Sequence, residues 1–130
     1  MNTALFISQA ALFALIFGTH LIALKGSLYW HYVWLDVPLH FAGGIWLALA
    51  GSWALLASGR RLDERMVFAF VVLGSIAWEI FEALIGTQRE ANFLFDTVLD
   101  LTMDMAGAII GFMLARLFVK RDTIPSNEED

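Results

Sequence analysis

The chain has 130 residues, enough for one domain, and 59% of them are apolar, with a mean hydropathy of +0.70. Ordinary soluble domains hold about 45–50% apolar residues, and a soluble chain this short cannot enclose so large a core, so the composition reads as membrane. The absence of cysteine excludes disulfides and thiolate metal sites. The formal charge of −5 does not mark an acidic soluble protein, because six of the thirteen acids (Asp36, Glu79, Glu82, Asp96, Asp100 and Asp104) lie inside or at the mouth of apolar segments.

Four segments, roughly Ala4–Leu24, Val37–Ala57, Met66–Gly86 and Thr97–Phe118, are long enough to cross about 30 Å of hydrocarbon at about 1.5 Å per residue. Their links are short, which predicts an all-α, antiparallel bundle of four transmembrane helices over residues 1–121. The first segment lacks a basic n-region and a small-residue cleavage site, so it is expected to be a retained helix and not a signal peptide. Residues 122–130 read as a disordered, acidic tail. The first link, Gly26–Leu35, is rich in Tyr and Trp, as befits a segment lying at the headgroup level.

Arg60, Arg61 and Arg65 occupy the second link, and Arg116, Lys120 and Arg121 end the fourth segment; the other two links hold only Lys25 and Arg89. This bias predicts that both termini are cytoplasmic. The chain is then a multi-pass protein of a bacterial cytoplasmic membrane, with its first and third links outside.

The fourth segment organises the rest. Asp96, Asp100 and Asp104 recur every four residues and so form a stripe on one helix side. A carboxylate at the bilayer centre costs about 2.5–3.5 kcal/mol even on lenient insertion scales, so the stripe must face protein or water. The other segments supply partners. Asp36 and His40 are spaced i,i+4, and Glu79 and Glu82 are spaced i,i+3. With the predicted orientation these groups, and His20 of the first segment, fall within about two turns of the outer surface. Ser75 lies a turn below Glu79, and Gln9 shares a side with His20. Gly43-Gly44 and Gly107-x-x-x-Gly111 accompany the polar stripes, as expected where helix backbones approach closely in lipid.

So many carboxylates cannot all be ionised together in a low dielectric; either some are neutral or a cation compensates them. His40, Glu79, Glu82, Asp100 and Asp104 form a donor set for a divalent ion, with Zn, Mn, Fe and Mg all compatible. Asp36 would then orient His40 from behind. The alternative is structural: neutral acids hydrogen-bonding between helices. His20 reads as a lone core or interfacial histidine, Trp46, Trp53 and Trp78 as core or lipid-facing, and Met103, Met105 and Met113 as packing.

The order Asp36-x-x-x-His40-Phe41, Glu79-x-x-Glu82 and Asp96-x-x-x-Asp100-x-x-x-Asp104-x-x-Gly107-Ala108 resembles that of the VanZ-like membrane proteins, including the YjdF-type bacterial proteins, over roughly Asp36 to Lys120. Val37 stands where many of those have Lys, and Asp104 where they usually have Asn. The resemblance implies a small polytopic membrane protein, in some members associated with tolerance of glycopeptide antibiotics, and brings no established reaction.

Three functions stay open on the sequence. One is a metal-dependent hydrolase at the outer leaflet, with Asp36, His40, Glu79, Glu82, Asp100 and Asp104 as its site and a lipid or envelope precursor as substrate. Another is a non-catalytic binding or scaffold protein for such a precursor or for a partner. The third is a proton- or ion-coupled transporter, which with four helices needs an oligomer. Met105–Ala115 carries no ionisable group, which favours an outer cup over a through-path. No phosphate loop, Ser–His nucleophile or nucleic-acid patch is present.

Overall fold

The computed structural model describes residues 3–85 and 93–122. Its long helices are α1 (Thr3–Lys25), α3 (Asp36–Ala57), α4 (Glu64–Ile85) and α5 (Phe93–Asp122). All four are long and apolar enough to cross a membrane. The fourth span begins at Phe93, four residues ahead of the expected Thr97, because Leu94 and Phe95 prolong the apolar run. Its helix runs through Asp122, the first residue of the expected tail; Thr123–Asp130 lie outside the described residues, as do Gly86, Arg89 and Glu90.

Local sequence explains where the helices start and stop. Pro38 is tolerated as the third residue of α3, where the backbone N–H would have no partner within the helix. At the other end of α3 the chain turns through Gly59, whose φ of 73° is a conformation that glycine adopts without steric cost. The N–H groups of Gly59 and Arg60 donate to the carbonyls of Leu56 and Leu55, which closes the helix end as a Schellman motif. Asp63 then caps α4, its Oδ1 accepting from the Met66 N–H at 3.1 Å. Between α1 and α3 the aromatic link folds into a single turn, α2 (Leu28–His31), and a 3-10 turn over Val33–Leu35. Trp30, Tyr32 and Trp34 are exposed there, in keeping with a segment at the headgroup level.

Helix α3 is the centre of the bundle, packed against α1, α4 and, most extensively, α5. The close fit with α5 depends on glycine. A Cβ on Gly44 would overlap the Asp104 backbone, one on Gly107 the Phe41 carbonyl, and one on Gly111 the Ile45 carbonyl. Beyond this seam the interior is mostly apolar: Ala48, Val67, Val71, Ala108 and Phe112 form one core cluster, and Leu5, Leu49 and Ala115 another. The outer faces carry large exposed hydrophobics such as Leu15, Ile22, Leu73 and Leu84. In a chain of spanning helices that is the surface lipid covers.

The seam predicts a stability pattern. Gly44→Ala and Gly107→Ala should each destabilise the bundle by about 1–3 kcal/mol, the usual cost of overpacking. Gly18→Ala, with nothing within 4 Å of its new methyl, should cost nothing measurable. Thermal unfolding in a mild detergent checks this; equal behaviour of all three variants would overturn the account of the seam.

Candidate functional site

One end of the bundle collects the polar groups. Asp36 opens α3, Glu82 lies in the last turn of α4, and Asp96 lies in the first turn of α5. His40, Glu79, Asp100 and Asp104 follow one or two turns further in. The glycine seam sets the register between α3 and α5, and this brings the buried His40 against the buried Asp100 and Asp104.

His40 is the hub. Its Nδ1 lies 3.4 Å from Asp104 Oδ2. Its Nε2 faces three carboxylate oxygens from three helices: Asp36 Oδ1 at 3.8 Å, Asp100 Oδ2 at 3.9 Å and Glu79 Oε1 at 4.0 Å. These distances exceed hydrogen-bond length, so the ring nitrogen and the oxygens surround a gap. Glu79 Oε1 and Asp100 Oδ1 are buried without a hydrogen-bond partner. Such atoms cost about 1–3 kcal/mol each if left unsatisfied. A metal at about 2.0–2.2 Å from each donor sets neighbouring donors about 3–3.5 Å apart, so the cage needs only a slight contraction to hold one. Among the described residues two donor sets, Asp36–His40–Asp100 and His40–Glu79–Glu82, gather their ligand atoms within 4.8 Å of one another, a wider spacing that a bound ion would draw in.

The six residues expected as the site, Asp36, His40, Glu79, Glu82, Asp100 and Asp104, therefore lie together at this end. The arrangement differs in one respect from the sequence expectation. Asp104, expected as a ligand, sits at Nδ1, on the far side of the ring from the cage; Asp36, expected behind the ring, faces Nε2. Spacing along α3 places Asp36 on the side of His40 but cannot say which ring nitrogen it meets. The ring orientation comes from α5. Asp96 is half-buried one turn nearer the start of that helix.

Beside the cage lies a cavity of about 720 Å³, part of it open to the surroundings. Phe13, Phe17 and His20 of α1 form one wall, and Ser75, Trp78 and Glu82 of α4 the other. Sequence reading left His20, Trp46 and Trp78 as ordinary core or lipid-facing residues, yet all three line this space. The signal existed: Phe13, Ile16, Phe17 and His20 recur at i, i+3, i+4 and i+7. An apolar stripe of that period, however, looks the same whether it faces a neighbour, a cavity or lipid. His20 Nδ1 and the Tyr29 hydroxyl share a hydrogen bond of 2.7 Å, and His20 meets Trp78 edge-on. Burial, reinforced by the nearby Asp36 and Glu82 carboxylates, pushes the Tyr29 phenol above its ordinary range, so it keeps its proton. Trp46 Nε1 donates to Gln9 Oε1 at 3.1 Å, which ties α1 to α3 at the inner end of the cavity.

Residues 2–121 match a family described as "Predicted membrane protein (DUF2238)". No curated protein and no solved structure matches. With nearly the whole chain covered, four apolar spans and a His/Asp/Glu cluster at one end, the protein is a multi-pass integral membrane protein and belongs to that predicted membrane protein family.

Proposed function

We propose that the cluster is a divalent-metal centre, that it opens to the extracytoplasmic side, and that it hydrolyses a lipid or another cell-envelope substrate. The observation that carries this reading is the gap at His40 Nε2, ringed by Asp36, Glu79 and Asp100 oxygens too distant to hydrogen-bond it. Unpartnered buried oxygens on Glu79 and Asp100 add to it, since ionised acids at such a site demand a cation. Asp104 holds the imidazole by Nδ1, the support that metal-bound histidines ordinarily have from a carboxylate. In this reading His40, Glu79 and Asp100 supply ligands, and the less buried Asp36 and Glu82 stand at the mouth, nearest the substrate. A divalent ion here would supply Lewis acidity and a bound water acidic enough to act near neutral pH. A carboxylate left uncoordinated at the mouth, Asp36 or Glu82, would take the proton of that water. The resemblance of the motif order to that of VanZ-like proteins adds a role at the cell envelope, including antibiotic tolerance, to this proposal. The apolar core between this end and the other favours a one-ended site over a transport path.

Metal analysis tests the centre. Purified protein should carry close to one divalent ion per chain, and Glu79→Gln or Asp100→Asn should lower the content at least tenfold. Asp104→Asn should keep the ion but weaken its affinity by about 10–100-fold, as changes to an outer partner do. Equal, near-zero content in all of them would remove the metal reading.

Sidedness is tested separately, and the cysteine-free chain suits it. In intact cells Ser27→Cys, in the aromatic link, should react with a membrane-impermeant maleimide. Ser58→Cys, in the Arg-rich link, should react only after permeabilisation. The reverse pattern would put the cluster on the cytoplasmic face.

A further inference from the structure

The cavity has two chemically distinct ends. Asp36, Glu82, Tyr29 and His20 line the end nearest the membrane surface, whereas Phe13, Trp46 and Leu47 line the inner one. From Asp36 to Leu47 along α3 the cavity extends about 16 Å, the length of a dodecyl chain. It lies between α1 and α4, and its lining residues Phe13, Phe17 and Trp78 are themselves partly exposed on the outer surface, so a molecule dissolved in the bilayer can enter sideways.

Charge selects the head group. Among the described residues, the acids lining the cavity are Asp36, Glu82 and Asp104, its bases are His20 and His40, and no Lys or Arg joins them. An anionic head would meet like charge there. An ammonium head would meet the Asp36 and Glu82 carboxylates and the rings of Tyr29 and Trp78, which attract cations through their faces. A second observation is independent of the acids. Ser75 lines the same cavity, is 3% exposed and leaves its Oγ without a partner, a polar group available to a ligand inside the cavity.

We propose that this cavity binds an amine-headed lipid of the surrounding bilayer, with one hydrocarbon chain between α1 and α4 and its ammonium group held by Asp36, Glu82, Tyr29 and Trp78. This deepens the hydrolase reading by naming its substrate class; binding itself needs no metal, and the two ideas fail separately.

The test is native mass spectrometry of the full chain released from nanodiscs of equal phosphatidylethanolamine and phosphatidylglycerol. One phosphatidylethanolamine should remain bound per chain, at least tenfold over phosphatidylglycerol. Asp36→Asn combined with Glu82→Gln should bring that ratio to about one, and Ile16→Trp, which fills the apolar end, should abolish retention of both lipids while leaving metal content unchanged. Equal retention by the unaltered protein, or a preference for phosphatidylglycerol, overturns the proposal whether or not the variants fold. Selective retention by a metal-free protein would sink the metal centre alone, and a metal-loaded protein that retains no lipid would sink this inference alone.

Discussion

The contact on which the molecule depends is the near-touching of the α3 and α5 backbones at Gly44, Gly107 and Gly111. In lipid no hydrophobic force drives one apolar helix onto another, so association rests on packing and on interhelical polar bonds. Without side chains at these positions, the two helices come close enough for backbone atoms to pack directly. The same approach fixes a register. His40 lies one turn before Gly44 and Asp104 one turn before Gly107, so the seam that joins the helices also sets imidazole against carboxylate. Packing and site are one construction.

That construction concentrates cost at one end of the bundle. His40, Asp100 and Asp104 are all at most 5% exposed, in surroundings where unpaired charge is expensive. The rest of the interior is mostly apolar, with Ser52 and Ser75 as buried hydroxyls. Proteins depart from consistent local rules mainly where function demands it, and here the buried ionisable groups gather around one ring nitrogen. A cluster that served only to hold helices together would close its hydrogen bonds; this one leaves Glu79 Oε1 and Asp100 Oδ1 without partners.

Helix α1 plays a different part. It packs on α3 and leans against α5, leaving a space against α4 that aromatic rings frame. Phe13 packs against Trp46, and His20 against Trp78, while the Gln9–Trp46 hydrogen bond anchors the inner end. The wall is thus held open by tilted and edge-on ring contacts and one polar tie. The cage and the cavity share His40, Asp36 and Glu82, so a molecule bound in the cavity has its head beside the cage.

Hydropathy and length determined the four spans, because an apolar run of about 20 residues has few other fates. Periodicity likewise put Asp100 and Asp104, or Asp36 and His40, on shared helix sides, since i,i+4 geometry is a property of any α-helix. It also singled out the six residues that meet at one end. What it could not reach were relations between helices. Which nitrogen of His40 meets Asp104 and which meets Asp36 depends on the rotation of α3 against α5, and that is decided by glycine contacts far apart in the chain. The cavity was hidden for a related reason. Phe13, Trp46 and Trp78 are apolar residues in apolar helices, and only the path of α1 across α3 decides whether such a ring meets lipid, a neighbour or an internal space.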